Sequence, residues 1–61
     1  MGTQERGQRA KAIRKMAGLT ISQFAILAEV GRNTVINFEQ GKRVNTQSAF
    51  SINRALREIK D

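Results

Sequence analysis

Along the chain, apolar residues return every three or four positions in four stretches, and Gly18, Gly31 and Gly41 fall between them. That spacing is the α-helical period, in which residues three and four apart share a face. The first stretch predicts a helix over about residues 4–17. Ala10, Ile13, Met16 and Ala17 form its apolar face, and Arg6, Arg9, Lys11, Arg14 and Lys15 take much of the rest. Gly7 interrupts the pattern. Glycine costs up to about 1 kcal/mol in a helix interior, so the ordered part is expected to start only near Gln8, with residues 1–5 mobile.

Gly18 is placed to end the first helix and Thr20 to begin a second. Gln23, three residues on, completes a capping box, in which the threonine hydroxyl and the glutamine side chain each accept from the other's backbone amide. Phe24, Ala25, Leu27 and Ala28 are the apolar stripe of a helix over 21–28. Glu29, Val30 and Gly31 form a turn, with Val30 filling the angle to a third helix over 32–39. Val35 and Phe38 face inward there, while Arg32, Asn33, Thr34 and Asn37 remain as polar groups able to meet a base edge or a phosphate. Gly41 suits the left-handed cap conformation within a basic loop, residues 40–46. Asn45 or Thr46 caps a fourth helix over 47–59, striped by Ala49, Ile52, Ala55, Leu56 and Ile59, with Phe50 to one side.

Sixty-one residues without an internal repeat or a linker predict one small domain, which buries only about 60% of the surface its unfolded chain exposes. The absence of Cys and His removes disulfides and the common Zn2+ sites as staples, so the core is helix packing alone or is completed by a second subunit. The net charge of +6, from 11 Lys and Arg against 5 Asp and Glu, points to polyanionic partners. No apolar run approaches the roughly 20 residues of a membrane span, and the chain is expected to be soluble and intracellular. No cofactor and no metal are expected. With no His, Cys or Tyr and with its carboxylates scattered, the chain lacks the usual acids, bases and nucleophiles of an enzyme.

The segment from Arg9 to Leu56 resembles the Cro and phage-repressor (XRE-like) type of helix-turn-helix. The resemblance lies in KAIRKMAGLT before the turn, AILAEVGRNTVINFEQGKR through it and SINRAL after it. NFEQGKR is close to that family's Glu-x-Gly-basic ending. The resemblance implies an all-α fold, a small four-helix domain of the lambda-repressor-like helix-turn-helix type. It also implies a sequence-specific, double-stranded DNA-binding transcriptional regulator, a repressor by default, that reads the major groove with helix three and is cytoplasmic, bacterial or phage-type and nucleoid-associated. In that family an Arg of helix one pairs with the Glu closing the recognition helix, and Arg14 and Glu39 stand at the matching positions, implying a structural salt bridge. Three departures stand out. Glu29 occupies the turn position usually held by Gly, so either it adopts a positive backbone angle at a cost of roughly 1 kcal/mol or the turn is reshaped around Gly31. Ile21 replaces a common Gln, and the loop after Gly41 is one residue short and lacks a Pro.

In such docking Arg32 would donate twice to guanine or anchor a phosphate, and Asn33 and Asn37 would pair with adenine or bridge to phosphate. Thr34 would meet a phosphate or a thymine methyl; Ile36, outward yet apolar, would press on a thymine methyl or cover the core. Lys42, Arg43 and Asn45 would hold the phosphate backbone, helped by the start of helix two near Thr20 and Gln23. A homodimer on a palindromic operator is the expected arrangement, at least on DNA, with Phe50 and Ile59 as candidate contacts. Two other readings are a helix-turn-helix protein-interaction module without DNA binding, such as an anti-activator or the partner of a larger regulator, and a lipid-binding face on helix one.

Overall fold

The computed structural model describes residues 3–60, which form four α-helices and no strand. The helices are α1 (Thr3–Met16), α2 (Ile21–Ala28), α3 (Arg32–Glu39) and α4 (Thr46–Lys60). The fold is all-α. α1 and α2 each pack on both α3 and α4, around a core of Ala10, Phe24, Ala25, Ala28, Val35, Phe38, Ile52 and Ala55. Half of that core is alanine, so the helices approach closely and only Phe24, Val35, Phe38 and Ile52 supply bulk. Leu19, Ile21, Val30, Val44, Ala49, Leu56 and Ile59 pack around its edge.

The helix ends follow from local hydrogen bonding. Behind α1 the Gly18 amide donates to the Lys15 carbonyl at 3.0 Å and the Leu19 amide to the Arg14 carbonyl at 3.1 Å, with Gly18 left-handed at φ 73°. This arrangement satisfies carbonyls that the last turn leaves open and ends α1 at Met16, one residue before the expected end. At α4 the Ser48 amide donates to Asn45 Oδ1 at 2.7 Å. Asn45 rather than Thr46 is therefore the cap, and Thr46 is the first helical residue.

Three expectations about the apolar faces and the N-terminus are corrected. Met16 is 88% exposed and Leu27 41% exposed, and Ala17 is exposed as well. The inward face of α1 is instead Gly7, Ala10 and Arg14, with Ile13 half-buried on its flank. Nor does order begin at Gln8. A Cβ on Gly7 would lie 2.5 Å from the Glu39 carbonyl oxygen and 2.8 Å from its carbon, and against the Phe38 carbonyl oxygen too. A Cβ on Gly41, whose φ is +78°, would lie 2.9 Å from Gln4 Cα. Both glycines let the first turns of α1 rest directly on the backbone at the end of α3. Tertiary contact thus outweighs the low helix propensity of Gly7. Met1 and Gly2, the rest of the expected mobile segment, lie outside the described residues.

Among the described residues, no helix is long and apolar enough to cross a membrane, and no group of three or more His, Cys, Asp or Glu could hold a metal ion.

Candidate nucleic-acid interface

α2 and α3 are joined by three residues, and each end of α2 is set by a specific device. At the start of α2, Thr20 is extended (φ −76°, ψ 167°). Its Oγ1 accepts from the Gln23 amide at 3.1 Å, while Gln23 Oε1 accepts from the Thr20 amide at 2.8 Å. The capping box is complete. At the other end the Glu29 amide donates to the Ile26 carbonyl and the Val30 amide to the Ala25 carbonyl, with Glu29 in the left-handed region at φ 60°, ψ 41°. Glu29 itself takes the conformation that favours glycine, at a cost of roughly 1–2 kcal/mol for an ordinary side chain. The turn is not reshaped around Gly31, which is extended at φ −74° and serves as N-cap of α3. A left-handed residue closes the last carbonyls only within a residue or two of the helix end, as Gly18 and Gly41 do behind α1 and α3, and Gly31 lies three beyond Ala28. Glu29 Oε2 also accepts from Arg54 Nη2 of α4 at 3.1 Å, an exposed pair that braces the turn from outside.

α3 divides by face. Val35 and Phe38 are buried; Arg32 and Asn33 are exposed; Thr34, Ile36 and Asn37 are half-buried. Ile36 therefore neither stands free in solvent nor joins the core. Among the described residues, the side chains of Arg32, Asn33, Thr34 and Asn37 make no hydrogen bond within the protein. No side chain caps the first turn of α3 either. A cluster of polar groups on one helix thus stays uncommitted, with the guanidinium of Arg32 the only full charge among them.

The loop behind α3 is held in register with it. The Gly41 amide donates to the Phe38 carbonyl at 3.1 Å and the Lys42 amide to the Asn37 carbonyl at 2.8 Å. Lys42 is thereby tied to the backbone of Asn37, and Lys42 and Arg43 are both exposed. Asn45, also exposed, lines a cleft with Glu29, Val30 and Ser48. Its side-chain oxygen is committed to the α4 cap, as those of Thr20 and Gln23 are to the α2 cap. All three residues use an acceptor on the protein and keep their O–H or N–H donors, the groups a phosphate requires.

Arg14 and Glu39 meet across 25 residues of sequence. Arg14 Nε donates to Glu39 Oε2 at 2.7 Å, Nη2 to Oε1 at 3.2 Å, and Nη1 to the Leu19 carbonyl at 2.9 Å. The two side chains are 8% and 7% exposed. This is a two-pronged, nearly buried pair, the geometry for which a guanidinium is suited. It fixes the end of α3 to α1 and to the start of the connection into α2. It also neutralises the only carboxylate on α3, so the helix presents no uncompensated negative charge.

Of the two candidate dimer residues, Ile59 packs against the core edge, whereas Phe50 is 70% exposed. Sequence reasoning missed the Glu29–Arg54 pair and the close approaches at Gly7 and Gly41. Each joins residues far apart in the chain, and a glycine carries no side chain to signal its contact. No protein-family model matches this chain, and no curated protein or solved structure matches it.

Proposed function

We propose that this chain is a sequence-specific regulator of transcription that binds double-stranded DNA, with a lambda-repressor-like helix-turn-helix formed by α2 and α3. The observation that carries the reading is the uncommitted polar set on α3. Arg32, Asn33 and Asn37 have no partner within the described protein, on a helix whose opposite face is buried by Val35 and Phe38. A face of unpaired donors that matches major-groove base edges is what direct readout requires. In this reading Arg32, Asn33 and Asn37 contact bases. Thr20, Gln23, Thr34, Lys42, Arg43 and Asn45 contact phosphates, three of them through donors that their capping bonds leave over.

One subunit would cover a short half-site, so binding is to a palindrome by two copies paired at least on DNA. Repression needs only occlusion of a promoter and is the simplest outcome. If four to six phosphates are neutralised per subunit, log affinity falls against log salt with a slope of roughly −4 to −5.

The test is a salt titration on random duplex DNA with the native chain and with Arg32, Asn33 and Asn37 changed to Ala. These three side chains lie outside the core, so a matching thermal melt will show that the variant is folded. Salt-sensitive binding that weakens in the variant supports the reading. If the folded native chain fails to bind at low salt, the DNA reading is lost, and a protein-interaction module becomes the better description.

A further inference from the structure

A second concentration of chemistry lies away from α2 and α3, in an open cleft of about 470 Å³ between α1 and α4. Arg6, Arg9 and Ile13 line it from α1 at helical spacing, and Phe50, Leu56, Arg57 and Lys60 line it from α4. Ile13 and Leu56 are half-buried and form an apolar floor. Phe50, mostly exposed, stands beside it. Four cations line the cleft with this apolar strip, and among the described residues no carboxylate lines it. A large aromatic left in water beside four like charges has no role in the core and none in the α2–α3 region.

We propose that this cleft docks an acidic amphipathic segment of a partner protein. Large apolar side chains of the segment would seat against Ile13, Leu56 and Phe50, and flanking carboxylates would pair with Arg6, Arg9, Arg57 and Lys60. Charge complementarity selects this occupant. A second copy of the chain would bring the same four cations against themselves, and like charges juxtaposed at an interface oppose association. A small molecule would be poorly enclosed, because the four cations and Phe50 are all exposed, whereas ligand pockets cover most of their ligand. Duplex DNA could pair with the cations but offers little to cover the apolar strip. An amphipathic helix supplies both apolar anchors and charges at the spacing of a groove between two helices. The residues involved are all on α1 and α4, so none is shared with the proposed DNA contacts.

The experiment uses the full chain, labelled with nitrogen-15, at physiological salt. It is titrated with a synthetic amphipathic peptide of Glu, Leu and Ala about 15 residues long, roughly four helical turns. Amide shifts should centre on Arg6, Arg9, Ile13, Phe50 and Arg57. Affinity should fall at least about tenfold in Phe50→Ala, and again in a double variant Arg9→Ser with Arg57→Ser. These side chains are exposed, so the variants should melt close to the native temperature. The Arg32, Asn33 and Asn37 variant should bind the peptide as the native chain does, which keeps this result separate from the DNA reading. Equal binding of a peptide with Ser in place of Leu would reduce the site to charge attraction and overturn the proposal. So would shifts centred on α3 or the 40–46 loop, or tighter binding at the same residues by a single-stranded oligonucleotide. Self-association in sedimentation that Phe50→Ala abolishes would assign the cleft to a second copy instead.

Discussion

Replacing Gly7 with Ala tests the packing of α1 on α3 by the sign of its effect. From helix propensity alone the change should stabilise the protein by up to about 1 kcal/mol, since Gly7 lies inside α1. The structure predicts the opposite. The new Cβ would sit 2.8 Å from the Glu39 carbonyl carbon and nearer still to two carbonyl oxygens. These are backbone atoms of a helix end that cannot rotate away, so α1 must move. Overpacking of this kind costs typically about 1–3 kcal/mol. Contacts this short against backbone put the cost at the upper end, about 2–3 kcal/mol, so after the propensity gain the net loss should be about 1–2 kcal/mol. The whole domain, at about 0.05–0.15 kcal/mol per residue, holds only about 3–9 kcal/mol. For a domain of this size the loss corresponds to a Tm lower by about 5–15 °C. Thermal and urea melts followed by circular dichroism at 222 nm provide the reading. Ala12→Gly, at an exposed position of the same helix, calibrates the propensity term and should cost about 0.5–1 kcal/mol. The displaced helix would also strain the Arg14–Glu39 pair, so Gly7→Ala combined with Glu39→Gln should depart from additivity. A Tm for Gly7→Ala equal to or above the native value would refute the close approach and restore Gly7 as a simple weak point.

Other substitutions probe separate parts of the fold. Glu39→Gln leaves the nearly buried Arg14 guanidinium without a counter-charge and should cost about 3 kcal/mol, the low end for a broken buried pair because the amide oxygen still accepts one bond; urea midpoints will show it, and a loss under about 0.5 kcal/mol would mark the pair as no stronger than a surface one. Thr20→Ala removes the capping hydroxyl and should lower stability by about 1 kcal/mol, with Thr20→Ser restoring most of it. Phe24→Ala should cost about 3–5 kcal/mol, enough to leave much of the chain unfolded at 37 °C, which a flat near-native amide spectrum at that temperature would contradict. Glu29→Val places a β-branched side chain at positive φ and should lose at least about 1 kcal/mol more than Glu29→Gly in a chemical melt.

The parts legible in the sequence are those whose cause is local. Thr20 and Gln23 announce the start of α2 because both partners of the capping box lie within one turn. Gly18 and Gly41 announce helix ends because each left-handed glycine lies within two residues of the last turn it closes. α1 was less legible. Its apolar pattern nominated Met16 and Ala17 for the core, but the position that turns inward is Arg14, a charge that is buried because its counter-charge arrives from 25 residues away. Periodicity of apolar residues alone cannot register a buried ion pair; the resemblance supplied it. Gly7 was misread for a similar reason, since what fixes it is backbone on another helix. The polar set of α3 was legible as a set. Its lack of internal partners is a property of the folded chain.

The division of α3 between faces has a consequence for how this chain can change. Val35 and Phe38 are buried while Arg32 and Asn33 are exposed and bonded to nothing else among the described residues. Surface substitutions of that kind usually alter stability by no more than about 0.5 kcal/mol. A library randomised at 32 and 33, with the half-buried 37 as a third site, would therefore vary what the molecule meets while nearly every member still folds. The architecture separates the vocabulary of the outer face from the grammar of the inner one.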